Sequence, residues 1–209
     1  MPDAPLGAVI FDIGRVLVKV DVARAIQGLS HGISLSPEEL WIAIEKDPRY
    51  RDWQEGRIAP HDWYLHMAKR IGSPLSFEEF RDAWNRSLDP TPLQEDSLFS
   101  GLAKSCKLAL LSNTDPIHVA HLEKTYSFFR HFPVPARIYS CAVHASKPSP
   151  IIFQAALKAV KTPAAQSVFI DDIAEYVQAA RSLGMHGIQY QSPDQLRRDL
   201  RAIASDLAI

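Results

Sequence analysis

The sequence predicts an α/β protein in which a three-layer parallel sheet, with helices on both faces, is interrupted near its start by an inserted helical domain. Two observations predict it. Short apolar runs rich in β-branched residues alternate with segments of helical length through the second half of the chain, the spacing of parallel βαβ units. The interval from about Val20 to Pro92 breaks that rhythm: it offers no convincing strand and several amphipathic helices in succession.

In chain order, the strand candidates are residues 8–11, 108–111, 137–142, 167–170 and 187–190. Helices are predicted over 115–128, 149–160, 173–183 and 194–207, with Gly184 as a C-terminal stop after the third. Within the insert, Trp63, Met67 and Ile71 share one helical face, as do Phe77, Phe80 and Trp84. Ser36-Pro37-Glu38-Glu39 and Ser76-Phe77-Glu78-Glu79 fit capping boxes. All four tryptophans lie here, either as the insert's own core or with one or two of them lining a substrate pocket. Asp89-Pro90-Thr91-Pro92 reads as the hinge back to the main domain. The expected division is residues 1–19 and 92–209 for the sheet domain and 20–91 for the helical one.

Composition excludes several classes of function. The 209 residues carry 23 Lys+Arg against 24 Asp+Glu, a net charge of -1, so neither nucleic acid nor an anionic membrane surface is an expected partner. With 46% hydrophobic and 22% charged residues the bulk of the chain is a packed domain and not a disordered one. No apolar stretch approaches the ~20 residues of a membrane span. Residues 1–7 lack a basic region followed by an apolar core, and a cytoplasmic location is the expectation. Cys106 and Cys141 sit in apolar runs and read as reduced, buried thiols, which leaves neither a disulfide scaffold nor a cysteine zinc site. His118 and His121 are at helical spacing without a third ligand nearby in sequence, so both read as surface or interface residues; His61 and His66 earn the same reading.

The chemistry is marked by polar residues that follow directly on three strand candidates: Asp12, the Ser112-Asn113-Thr114 run, and Asp171-Asp172. If the strands are parallel, their carboxyl ends lie along one edge of the sheet, where open α/β folds place ligands. Lys147, in Ser146-Lys147-Pro148-Ser149-Pro150, follows a further strand and joins them. Three carboxylates in one crevice repel one another unless a cation neutralises them, and hard oxygen donors suit Mg²⁺. A magnesium site with a lysine and a hydroxyl beside it points to a phosphate ligand, and a carboxylate in line with phosphorus can act as nucleophile. Asp12 is the residue chosen for that role.

These residues resemble the four motifs of the haloacid dehalogenase (HAD) superfamily, in order: Phe11-Asp12-Ile13-Gly14-Arg15-Val16-Leu17, Leu111-Ser112-Asn113-Thr114, Lys147-Pro148, and Phe169-Ile170-Asp171-Asp172. The resemblance implies a Rossmann-like core and identifies the insert with the helical cap of the family's first type, closing over the crevice about the crossings at 18–21 and 89–92. Among branches the sequence is most similar to small phosphatases related to the sugar-1-phosphate phosphatases and to the N-terminal domain of bifunctional epoxide hydrolases. It implies Asp12 as nucleophile and metal ligand, the Gly14 carbonyl as second ligand and Asp172 as the direct carboxylate ligand, with Asp171 orienting a metal-bound water. Ser112 and the Asn113 backbone would hold the phosphoryl group, and Lys147 would neutralise charge between it and Asp12.

One departure matters. Phosphatases of this superfamily usually carry an aspartate two residues after the nucleophile as general acid-base, and here that residue is Gly14. Glu55 and His66, from the cap, are the candidate replacements, and Arg15 either binds an anionic substrate group or points to solvent. The expected activity is Mg²⁺-dependent hydrolysis of a small phosphorylated metabolite, with a sugar phosphate as one option, through an aspartyl-phosphate. The alternatives are a 2-haloacid dehalogenase, which needs no metal and leaves the doubled aspartate unexplained, and a catalytically weak phosphate-binding module.

Overall fold

The computed structural model describes residues 5–205 and 207–209. Residues 1–4 of the amino-terminal segment, and Asp206 in the last predicted helix, lie outside the described residues. The chain opens with strand β1 (Ala8–Phe11) and the short β2 (Val18–Val20). Five helices follow: α1 (Val22–Leu29), α2 (Pro37–Glu45), α3 (Tyr50–Gln54), α4 (Pro60–Ile71) and α5 (Phe77–Asn85). Then come β3 (Leu88–Pro92), α6 (Asp96–Leu102), β4 (Lys107–Ser112), α7 (Pro116–Thr125), β5 (Arg137–Tyr139) and α8 (Ser140–Val143). The chain closes with α9 (Pro150–Val160), β6 (Ser167–Asp171), α10 (Ala174–Ser182), β7 (His186–Gln189) and α11 (Pro193–Ile203).

Five strands form one parallel sheet in the order β5-β4-β1-β6-β7. Its central strand is apolar on both faces because both are covered. Val9 and Phe11 point into a core shared with Leu98, Phe99 and Leu102 of α6 and Leu196 and Leu200 of α11. Ala8 and Ile10 point to the other face, against Ile152, Phe153 and Ala156 of α9 and Ala180 of α10. The period-two alternation of β1 therefore divides two cores, and the register β1–β4 and β1–β6 aligns the carboxyl ends of the three middle strands.

The helices α1 to α5 have a core of their own, in which Trp53 and Trp63 stack at 5.6 Å with rings 6° from parallel. Both predicted capping boxes are formed, with Ser36 and Ser76 each accepting from the backbone N–H three residues on and Glu39 and Glu79 reaching back. The aromatic residues divide between the two uses weighed for them: Trp53 and Trp63 are fully buried in this core, whereas Trp41 and Trp84 also line a cavity.

The last helix ends at Ile203 and not at 207, and the structure departs from the sequence expectation in three further places. Residues 88–92 are a strand, paired antiparallel with β2 through Val18↔Pro92 and Val20↔Leu88. Prolines 90 and 92 hide it in the sequence, yet a residue without an N–H is tolerated on an edge ribbon. The predicted strand 137–142 stops at Tyr139 because Ser140 turns inward, its hydroxyl accepting from Thr114 N at 2.9 Å and lying 2.7 Å from Gln54 O. The predicted helix 115–128 stops at Thr125, and a 3₁₀ turn over Ser127–His131 seats Phe128 and Phe129 in the core.

The loop after α3 fastens the helical segment to the sheet. Arg57 donates to His144 O at 3.0 Å and His144 Nδ1 lies 2.7 Å from Glu55 O. Gly56 between them has φ +67, and a Cβ there would stand 2.0 Å from Cys141 O. Gly72 offers a control, with φ +66 and nothing within 4 Å of its added Cβ. Gly72→Ala is expected to cost about 1 kcal/mol, the left-handed penalty alone, and Gly56→Ala severalfold more. Thermal melts of the two variants, at roughly 2–4 °C per kcal/mol for a chain of this size, check it; equal shifts would mean that the loop is not held there.

Candidate active site

Asp12 leaves the end of β1, its N–H donating to Ile170 O at 2.9 Å, so the backbone of β6 fixes where its carboxylate begins. Ser112 ends β4 and Asp171 ends β6, and both are buried. Lys147 reaches the same edge from the loop before α9. Its ammonium lies 2.9 Å from Asp12 Oδ1 and 2.6 Å from Asp171 Oδ2, and over the rings of Tyr176 (5.0 Å) and Phe169 (5.5 Å). Asn113 holds that loop in place: its Nδ2 donates to Lys147 O at 3.1 Å and its Oδ1 accepts from Lys147 N at 2.8 Å. The side chain of Asn113 thus ties Lys147 to the end of β4.

All eight sequence-selected residues except Asp171 line one cavity together, with Gln54, Ile173 and Tyr176. Asp171 lies beneath, fully buried, with Oδ2 on Lys147 and Oδ1 accepting from Ile173 N at 2.8 Å. Arg15 stands at the rim, 60% exposed, with φ +57 and its guanidinium 3.7 Å from Asp172.

One oxygen from each of Asp12, Asp171 and Asp172 can be chosen so that all lie within 4.8 Å of one another. Burial, and after it the charge of Asp12, holds the carboxyl groups of Asp171 and Asp172 above the usual range. Burial also opposes the charge on Lys147, but Asp12 and Asp171 outweigh it and keep the ammonium protonated. Three carboxylates face one buried cation and one solvent-exposed guanidinium, and the oxygen donor set suits a hard divalent cation that relieves the remaining repulsion.

Neither candidate replacement for an acid at Gly14 arrives here. Glu55 is ion-paired with Arg57 and, at 3.2 Å, with Arg51; burial raises its pKa but those two partners lower it further, so it stays a carboxylate. His66 sits 2.8 Å from Asp47 inside the helical segment.

Sequence reasoning missed the pairing of half-buried His118 with buried Asp115 on the opposite wall. His118, expected at a surface or interface, stacks on Trp84 (5.3 Å, 13°) with Nδ1 2.9 Å from Asp115 Oδ2, and Trp84 Nε1 donates to the same oxygen at 3.0 Å. Asp115 is also the N-cap of α7, accepting from Ile117 N and His118 N. An Asp-Pro-x-His run at a strand end carries that signal. A second cavity, of about 160 Å³, lies between this pair and the strand ends and shares Gly14, Val20, Gln54, Ser112 and Asn113 with the first.

A parallel sheet whose carboxyl edge gathers carboxylates, a hydroxyl and a buried lysine beneath a helical insert is the arrangement of an α/β protein that can hold a metal ion and a phosphoryl group together. The family model described as haloacid dehalogenase-like hydrolase matches residues 6–184, and the chain belongs to that family. It is 24% identical over 204 residues to a D-ribitol-5-phosphate phosphatase of Bacteroides thetaiotaomicron, covering 93% of this chain and 97% of that protein. A HAD family enzyme from the same organism has the same fold, with a TM-score of 0.84 at 23% identity over 95% of this chain and 100% of the other. A crystal of that enzyme with magnesium and inorganic phosphate gives 0.79 at 24%, over 90% and 95%.

The His118–Asp115 pair has a pH signature. Burial disfavours the imidazolium, but Asp115 outweighs it and raises the His118 pKa; burial likewise opposes the Asp115 charge, and His118 with Trp84 outweighs it and lowers that pKa. The raised histidine contributes stability in full below its unfolded pKa of about 6.5 and loses it as pH rises through the folded value, while the Asp115 contribution is lost only in acid. The Tm difference between wild type and His118→Gln is therefore expected to be larger at pH 6 than at pH 9. A difference that does not change between the two would show that the pair carries no charge interaction.

Proposed function

We propose that the protein is a Mg²⁺-dependent phosphomonoesterase of small phosphorylated metabolites, with Asp12 as nucleophile, residues 1–19 and 92–209 as the catalytic domain and 20–91 as its cap. The observation that carries this is the Lys147 ammonium held between Asp12 and Asp171 at the strand edge that also presents Ser112. The resemblance to a D-ribitol-5-phosphate phosphatase, and to an enzyme crystallised with magnesium and phosphate, supports it.

Asp12, the Gly14 carbonyl and Asp172 would hold the magnesium ion, which supplies positive charge to the phosphoryl oxygens when bound. Ser112, the Asn113 backbone and Lys147 fix the phosphoryl group so that an Asp12 oxygen meets phosphorus in line. A bond forms from Asp12 to phosphorus as the bond to the alcohol oxygen breaks, and water then attacks phosphorus, releasing phosphate and restoring Asp12. Asp171, expected from the sequence to orient a metal-bound water, is fully buried with Oδ2 on Lys147 and Oδ1 on Ile173 N; in this reading it positions Lys147 and leaves the ammonium aimed at Asp12. Arg15 at the rim meets the anionic end of the substrate. No side chain at Gly14 protonates the departing alkoxide, so solvent supplies that proton. No helix among the described residues is long and apolar enough to cross a membrane.

Hydrolysis of p-nitrophenyl phosphate tests the assignment. Turnover is expected with Mg²⁺, to stop on chelation, and to fall by more than ~10⁴-fold in Asp12→Asn, as for loss of other nucleophiles; metal-independent turnover, or activity surviving in that variant, would overturn it.

Gly14 supplies a second test. A Cβ there meets only Val20 Cγ2, at an ordinary 3.5 Å, and Gly14 is not among the glycines at positive φ, so the backbone tolerates a side chain. Gly14→Asp is expected to raise the rate on alkyl phosphates at least ~10-fold while leaving p-nitrophenyl phosphate, whose leaving group needs no proton, little changed. Equal effects on both would mean that proton delivery does not limit the wild type.

A further inference from the structure

The second cavity lies beside the phosphoryl site, where the alcohol part of a substrate would extend. Its walls are mostly apolar, built from Trp41, Tyr50 and Trp84 with Val22, Leu88 and Leu122, and it opens onto the phosphoryl site through Gly14, Ser112 and Asn113. At about 160 Å³ it matches the size of a cavity that takes one benzene ring.

Its polar lining is already committed within the protein. Asp115 accepts four hydrogen bonds, from Ile117 N, His118 N, His118 Nδ1 and Trp84 Nε1. His118 Nε2 lies between Ser87 Oγ (3.2 Å) and Trp84 O (3.3 Å), and the Ser87 hydroxyl donates to Trp84 O at 2.9 Å. Asn113 is bound at both ends to Lys147. There remain the Tyr50 hydroxyl, which accepts from Gln54 Nε2 at 3.2 Å, the Gln54 Oε1, and the hydroxyls of Ser112 and Thr114 at the phosphoryl end. A polyol entering this space exchanges water for few partners, which is unfavourable for each hydroxyl left unmet. A flat apolar ring loses nothing by leaving water and gains contact with three aromatic side chains.

We infer that the preferred substrates are phosphate monoesters of alcohols bearing one apolar, ring-sized group, of the benzyl or aryl type, and not polyol or sugar phosphates. This rests on the phosphomonoesterase assignment and narrows it.

The two are separated by using acetyl phosphate, whose small acyl group does not need the chamber, beside benzyl phosphate and D-sorbitol 6-phosphate, all with Mg²⁺. Hydrolysis of acetyl phosphate reports the phosphatase alone. The expected result is a kcat/KM for benzyl phosphate at least ~30-fold above that for sorbitol 6-phosphate, and a benzyl-to-acetyl ratio that falls about tenfold in Trp41→Ala. Equal or better turnover of the polyol would overturn the inference with the phosphatase intact. Should acetyl phosphate fail, the phosphatase assignment falls by itself, and calorimetry of benzylphosphonate against methylphosphonate decides the chamber: binding about tenfold tighter for the aromatic compound sustains the inference, and equal affinity overturns it.

Discussion

The ammonium of Lys147 between Asp12 and Asp171 is the interaction on which the rest of the site depends. It is a buried charge, and a buried charge without partners costs several kcal/mol. Lys147 is sealed from solvent, so its two carboxylates, at 2.9 and 2.6 Å, are what make its position tenable. The pair belongs to strands β1 and β6, which are hydrogen-bonded neighbours in register, and their adjacency brings the carboxylates close enough to share one cation. The two neutralise it and leave Asp172 and the remaining Asp12 oxygen facing the crevice. That excess of negative charge is what a divalent cation answers, and cation and lysine together can accept a dianionic phosphate.

Much of this was legible in the sequence because it follows from strand geometry. An apolar run that ends in a carboxylate or hydroxyl places that group at a sheet edge whatever the rest of the chain does, and Asp12, Ser112, Asp171 and Asp172 needed no further information. What was not legible depends on partners distant in sequence. Ser140 looks like an ordinary strand residue until Thr114 and Gln54 are seen to meet its hydroxyl. The β2–β3 ribbon was hidden by two prolines, which depress strand propensity but do no harm on an edge. For His118 the sequence reads surface or interface, and it lies where the insert meets the sheet; the ion pair is not legible because its partner Asp115 doubles as a helix cap, which is the commoner reason for an aspartate at that position.

Trp84 joins the two halves of the molecule. It packs in the core of the helical segment, stacked on Phe80, while its indole N–H holds Asp115 of the sheet domain and its other face carries His118. Ser140 and the Gly56 loop make a second attachment near Gln54. The insert is therefore fixed to the sheet at two places that flank the crevice, and Asp115, His118 and Ser87 beside the chamber are engaged at the first of them. The chemistry of the walls follows from how the insert is anchored.

Gly14 has a corresponding meaning. An aspartate there would place a fourth carboxylate among Asp12, Asp171 and Asp172, which already repel one another, beside the mouth of an apolar chamber where it would lack the partners that Asp171 enjoys. Its absence removes a proton donor and leaves Val20 as the side chain nearest that position. The rate lost is largest for strongly basic alkoxides and smallest for leaving groups that depart as stable anions. A chamber shaped for an aromatic group and a site without a general acid are thus mutually consistent: an aryl oxide is both a flat apolar occupant and a leaving group that needs little help from a proton.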